Sequence, residues 1–371
     1  MPGEDIGVPK SVKGLIIGST EVFSGKSAAV LGLAAQLQTL GFEIAYGKPI
    51  STCLGKDAAV ADLDLEFIAQ TLSIPESNLR APLLSLNEPT IEAKLEHVSN
   101  GQPVQPLTEY AHHKGEDLLL IEGPSTLDEG ALFDLSLPQI ADAIAAPILL
   151  VARFHSLVVA DTLIAAQHRL GSRLAGVIIN DIPSDQIKSA EDKVKPFLES
   201  RGIPVLALLP RMPLMRSISV REIANRLNAE VICSQERLDL MVETLTIGAM
   251  NVNSALRYFR KGTNMAVVTG GDRTDLQLAA LETSTHCLVL TGHIPPSPEI
   301  VSRAADLEVP ILTVDSDTLT TVELIDELFG QVQLHEPSKA ACIQELMSER
   351  FDLQRLMQII DLKQPLTATH N

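Results

Sequence analysis

The 371-residue sequence predicts an α/β protein: a parallel sheet covered by helices, then a smaller α/β domain and a helical tail. Three observations predict it. In the first half, apolar runs of strand length alternate with helix-like segments at the spacing of βαβ units. Those runs are near-continuous rather than alternating, as in strands buried on both faces. Prolines and arginines then interrupt the pattern at Pro210–Arg221, after which a second strand–helix alternation begins.

The elements follow in order. Leu15–Ile17 is a first strand, and a helix over Ser27–Leu40 follows it. Phe42–Ile50 reads as a second strand, Asp57–Leu72 as a helix, and Ser73–Asn87 as a Pro-containing connection. Pro89–Asn100 is a helix closed by Gly101. Asp117–Ile121, Ile148–Ala152, Ala175–Asn180 and Pro204–Leu209 complete the sheet, with helices over Val158–Leu170 and Asp185–Arg201. Beyond the break come a strand at Met265–Thr269, a glycine-rich turn and a helix to Glu282. A strand at Cys287–Leu290, a loop at Gly292–Pro298, a helix to Leu307 and a strand at Pro310–Val314 follow. The tail, Lys339–Leu362, has helical periodicity and mixed charges, so it packs on the second domain or mediates self-association. The expected domains are 1–211, 212–335 and 336–371.

Gly25-Lys26-Ser27 stands between a strand and a helix, the context in which this triplet signals a phosphate-binding loop. Gly25 lets the backbone approach a polyphosphate, Lys26 brings a point charge to the β- and γ-phosphates, and Ser27 can ligate Mg²⁺. The dipole of the following helix adds to the site. The first domain is therefore read as a P-loop NTPase-type parallel sheet binding ATP and Mg²⁺. Thr20, Glu21 and Ser24 belong to the same loop. Thr20 stands where the full pattern has glycine, and Glu21 where the deviant loops of partitioning ATPases carry lysine. Ligands of such sheets sit beyond the carboxyl ends of the strands, and Lys48-Pro49 and Glu122-Gly123 mark two further strand ends.

Composition narrows the partners. A net charge of −18 opposes nucleic-acid backbones and anionic membranes, and the absence of Trp, with 3% aromatics, opposes base-stacking platforms. Small anions or other proteins are the expected partners, with homo-oligomerisation among the possibilities. Cys53, Cys233, Cys287 and Cys342 lie far apart without metal-ligand spacing and read as reduced, mostly buried thiols. His293 and the His112-His113 pair read as loop residues. The N-terminus has no apolar leader and no stretch is long enough to span a bilayer, so a cytoplasmic location is expected.

The segments GSTEVFSGKS, GKPIST, IEGP and GVIIND together resemble dethiobiotin synthetase and the P-loop domain of cobyrinic acid a,c-diamide synthase. The closer resemblance is to the dethiobiotin-synthetase-like N-terminal region of long bacterial phosphate acetyltransferases, where a DRTGG domain follows. VVTGGDRTDLQLAALETSTHCLVLTGHIPPSPEI resembles that second domain, its motif standing here as Gly271-Asp272-Arg273-Thr274-Asp275. The two resemblances span Gly14 to Leu328. In those enzymes a catalytic domain comes next, whereas this sequence ends at Asn371, so acetyl transfer is not expected.

By resemblance, Lys48 matches the lysine that faces the γ-phosphate and a carboxylate substrate; as an isolated residue it is a surface lysine. Glu122 is placed to bind Mg²⁺ or orient a nucleophile, or else is a strand-end acid facing solvent. Asp62 and Asp64 offer a further metal contact, but residues two apart on a helix do not share a face, so at most one points at the site. Asn180 resembles an asparagine that reads adenine, with a cap or turn as the alternative. In the second domain Arg273, beside Gly271, is suited to hold an anionic metabolite, and Asp272 to cap the helix. Two functions remain open. One is a nucleotide-responsive regulatory or scaffold protein. The other is an ATP-dependent, carboxylate-activating ligase.

Overall fold

The computed structural model describes residues 14–52, 63–96, 104–112, 115–330 and 334–365, apart from the side chains of 104–106 and 330. The chain forms two compact units, Met1–Arg211 with Leu334–Asn371, and Met212–Gln333.

The strands of the first unit are β1 (Gly14–Ser19), β2 (Ile44–Gly47), β3 (Ile50–Thr52), β4 (Leu79–Arg80), β5 (Leu84–Leu86), β6 (Leu118–Glu122), β7 (Ile148–Arg153), β8 (Leu174–Ile182) and β9 (Val205–Pro210). Seven form one parallel sheet in the order β4-β2-β6-β1-β7-β8-β9. β1 is central because its side chains are apolar on both faces: Leu15, Ile16 and Ile17 are wholly buried. Burial of each stabilises the fold by about 1.5–3 kcal/mol. The chain passes from β1 to one side of the sheet and later to the other, so the end of β1 is where strand order reverses and a crevice opens.

The helix after β1, α1 (Lys26–Thr39), is rich in Ala and Leu around its circumference, and Ala28 to Leu31, Leu33, Ala34 and Leu37 are buried. A helix apolar all round needs cover on both sides. The sheet supplies one cover, and the helix Pro337–Arg350 supplies the other. A Cβ on Gly32 would lie 2.5 Å from Met347 Cγ, so glycine is what permits that approach. The tail therefore completes the first unit, and the expectation that it packs on the second domain is corrected. Arg355 also holds Glu199 through two hydrogen bonds of 2.7 and 2.6 Å.

Three local readings change. The strand expected over Phe42–Ile50 breaks at Lys48-Pro49, since proline has no N–H for a ladder. Ile50–Thr52 pairs instead with Leu84–Leu86 as a separate ribbon, and β4 and β5 both arise within the stretch read as a connection. Asp185–Arg201 is helical from Ile187 to Ser200 but widens to a π turn at Ala190–Val194, because Pro196 cannot donate to the carbonyl one turn back.

The second unit holds β10 (Ile218–Ser219), β11 (Glu230–Cys233), β12 (Met241–Val242), β13 (Thr244–Gly248), β14 (Met265–Gly270), β15 (Thr285–Thr291) and β16 (Ile311–Thr313). Five make a sheet in the order β11-β16-β15-β14-β13, parallel except for β11. Alternate residues serve a core on each face: Val267, Leu288 and Leu290 on one, Val268, Cys287 and Val289 on the other. β11, β13 and the helices Val220–Leu227, Val252–Phe259 and Thr318–Gly330 were not read from the sequence. The first of these helices carried a legible signal, the Ser219/Glu222 capping box. Of the described cysteines only Cys287 is fully buried, and burial pushes its thiol pKa up. Among the described residues no helix is long and apolar enough to cross a membrane.

Candidate nucleotide site of the first unit

The loop after β1 is shaped by its own backbone. Phe23 (φ 54°) and Gly25 (φ 93°) are both left-handed, which curls the chain into the N-terminus of α1. Asn180, at the end of β8, clamps this turn: its Nδ2 donates to the Ser24 carbonyl at 2.9 Å and stands 2.2 Å from where a Gly25 Cβ would be. The Asn180 amide nitrogen thus serves the loop, the turn role that stands as the alternative to an adenine contact. Ser24 Oγ is buried with no hydrogen-bond partner among the described residues.

Glu122, at the end of β6, is the polar centre of the crevice and is only 1% exposed. Ser27 Oγ donates to its Oε1 at 2.9 Å, and Tyr46 Oη, from β2, donates to its Oε2 at 2.7 Å. Lys26 Nζ lies 3.7 Å from Oε1 and donates to the Gly123 carbonyl at 2.5 Å. Burial pulls the Lys26 pKa down, the charge of Glu122 opposes that, and Lys48 adds to the lowering. The solvent-facing alternative for Glu122 is therefore excluded. Tyr46 was missed; its signal was a hydroxyl-bearing residue in an otherwise apolar strand, two positions before Lys48.

Lys48 faces the same crevice, with its Nζ 3.6 Å from Asp64 Oδ2. Asp64 Oδ1 accepts a hydrogen bond from His335 Nε2 at 3.0 Å. Burial raises the Asp64 carboxyl, but the His335 hydrogen bond and the Lys48 charge outweigh it and hold the pKa below its ordinary value. Asp62 lies outside the described residues. Glu21 accepts from His155 Nε2 at 2.7 Å, and the Thr20 N–H donates to the Val151 carbonyl at 3.2 Å. These two residues tie the loop to β7 and to the turn after it.

The donor set fits a phosphate-bound Mg²⁺. Ser27 and Glu122 present hard oxygens side by side, while Lys26 and the orphaned Ser24 hydroxyl flank a glycine-lined turn. Magnesium commonly takes one or two protein oxygens and fills its shell with water and phosphate. Among the described residues, no three His, Cys, Asp or Glu side chains gather as an all-protein cage.

In the second unit, the turn after β14 and the loop after β15 emerge together. The Gly271 N–H donates to the Thr291 carbonyl at 3.0 Å, and a Gly271 Cβ would lie 2.3 Å from the Ile294 carbonyl oxygen. Arg273 already holds Asp275, at 3.1 and 3.2 Å, and the Met250 carbonyl, at 3.1 Å. Helix Thr274–Leu281 starts after Arg273 without a side-chain cap, so Asp272 is not its N-cap. The buried Gln277 side chain donates to the carbonyls of Gly270 and Gly271 and stiffens the turn from below.

The parallel sheet with its phosphate-type loop defines a P-loop domain, and comparison with known proteins gives its family. Residues 13–219 match the AAA domain, and the chain belongs to that family. Residues 222–328 match the DRTGG domain. The chain is 26% identical over 370 residues to a phosphate acetyltransferase of Nitratidesulfovibrio vulgaris, covering 92% of this chain and 51% of that protein. It is 23% identical over 215 residues to an ATP-dependent dethiobiotin synthetase of Bacillus subtilis subsp. natto, covering 54% of this chain and 88% of that one. The chain thus spans about half the length of the acetyltransferase it matches. The MinD cell division protein of Aquifex aeolicus superposes on 55% of this chain and 84% of its own, at 17% identity and a TM-score of 0.32, a likeness too loose to build on.

Proposed function

We propose that the first unit binds ATP with Mg²⁺ and that the protein is a nucleotide-responsive regulatory or scaffold protein. The observation that carries this reading is the convergence of Lys26, Ser27 and Glu122 at the glycine turn, within a chain that matches a P-loop family and a DRTGG domain. In this reading Lys26 leaves the Gly123 carbonyl for the phosphates, and Ser27 and Glu122 hold the metal. Magnesium bound there offsets the charge of the terminal phosphates. Tyr46 keeps the second Glu122 oxygen occupied and the carboxylate oriented. The metabolite and protein contacts belong to the second unit.

A ligase like dethiobiotin synthetase is the second reading, favoured by Lys48 at the same crevice and by the likeness to that enzyme. Thermal unfolding of the full chain separates the readings. ATP·Mg²⁺ is expected to raise the melting temperature, with phosphate release slow and unaffected by added carboxylates. Carboxylate-stimulated phosphate release supports the ligase, and no shift with any nucleotide overturns both readings.

For the second unit, we propose that Arg273 exchanges Asp275 for a small anion, since its guanidinium can hold a carboxylate or phosphate through two parallel bonds. Arg273→Ala in the full chain is expected to remove the stabilisation given by an anionic metabolite while leaving that given by ATP·Mg²⁺. Equal metabolite stabilisation in wild type and variant ends this part of the proposal.

A further inference from the structure

The chain leaves the first unit at Arg211 and re-enters it at Leu334, and groups near the phosphate loop hold it at both points. Arg211 Nε donates to Asp181 Oδ1 at 2.8 Å, and Asp181 directly follows the loop clamp Asn180. His335, one residue after re-entry, donates to Asp64 at 3.0 Å, and its ring leans on Phe67 with centroids 5.8 Å apart. The other Asp64 oxygen is 3.6 Å from Lys48. Lys48 directly follows Gly47, which pairs with Ile121, so it leaves its strand beside Glu122, whose Oε1 is 3.7 Å from Lys26 Nζ. Two ammonium groups facing one crevice repel, and a lysine on a flexible four-carbon stem turns away unless an anion fixes it. Asp64 places such an anion 3.6 Å from Lys48, and His335, backed by Phe67, limits where Asp64 can go.

We infer that His335 is a positioning residue for the phosphate end of the site, acting through Asp64 to hold Lys48 toward the terminal phosphate of a nucleoside triphosphate. The inference rests on the nucleotide reading above. A lysine beyond the one in the loop distinguishes a triphosphate from a diphosphate, which lacks the group that Lys48 meets. The site is then completed by a segment that follows the DRTGG unit in the chain, 271 residues beyond its partner Asp64.

The test is calorimetric titration of the full-length chain with ATP·Mg²⁺ and ADP·Mg²⁺. His335→Ala is expected to weaken ATP·Mg²⁺ on the order of tenfold, as for loss of a hydrogen bond to a charged group, and ADP·Mg²⁺ by less than about twofold. His335→Gln, whose amide can still donate to Asp64, is expected to restore the wild-type ratio of the two affinities. An unchanged ratio in His335→Ala overturns the inference. So does equal weakening of both nucleotides that glutamine fails to rescue, because that marks a residue needed only for packing against Phe67. If the wild-type chain binds neither nucleotide, the nucleotide reading itself fails and takes this inference with it. If wild type binds both and only the His335 ratio is unmoved, the nucleotide reading stands.

Discussion

Lys26→Ala is expected to weaken ATP·Mg²⁺ binding at least tenfold, the loss of a charge-assisted contact to phosphate. The reason lies in where the ammonium sits. It is 8% exposed, and it meets a carbonyl oxygen and a carboxylate 3.7 Å away. Burial lowers its pKa, so the folded state holds that proton less firmly than the unfolded chain does. A depressed folded value means that this group contributes stability above its ordinary value of 10.5, lost as the pH falls through the folded value. At neutral pH the charge therefore weighs against the folded state, and a polyphosphate offsets that cost better than a neutral carbonyl can. The variant should keep its fold, because Ser27 and Tyr46 still donate to Glu122. Its melting temperature without nucleotide should change little, while the rise on adding ATP·Mg²⁺ disappears. Wild-type affinity by calorimetry in a folded Lys26→Ala protein would remove the phosphate site from this loop.

Gly25→Ala should be the most damaging small substitution in the first unit. A left-handed backbone costs an L-residue about 1–2 kcal/mol, and at φ 93° Gly25 is in that region. Its new Cβ would also meet Asn180 Nδ2 at 2.2 Å and force the clamp off the Ser24 carbonyl. That hydrogen bond adds roughly 0.5–1.5 kcal/mol to the loss. Urea unfolding should show a destabilisation of about 2–3 kcal/mol, with nucleotide affinity falling as the loop shifts. Combining the substitution with Asn180→Ala separates the causes. The double variant should be less destabilised than the sum of the singles by on the order of 1 kcal/mol, because the hydrogen bond to Ser24 is lost in each single variant but only once in the double. Strict additivity would show that Asn180 does not oppose a side chain at this position.

What the sequence determined by itself was local. The apolar runs marked the central strands, because a strand buried on both faces needs no alternation. Gly25-Lys26-Ser27 marked the loop, because a left-handed glycine before a helix N-terminus is a property of a few adjacent residues. Lys48 and Glu122 could be named as well, since each closes an apolar strand. Only the tertiary structure decided their partners. Tyr46 meets Glu122 because β2 lies beside β6, a neighbour relation set by strand order and invisible in either segment. Asn180 clamps the loop because β8 ends close to Gly25. The tail joined the first unit because α1 has two apolar sides and the sheet covers one; its composition alone allowed several docking faces. His335 reaches Asp64 across most of the chain, and no periodicity spans that separation. Neighbouring residues choose a backbone conformation through sterics and burial pattern, whereas side-chain partners are chosen by packing among elements that the chain brings together only when it folds.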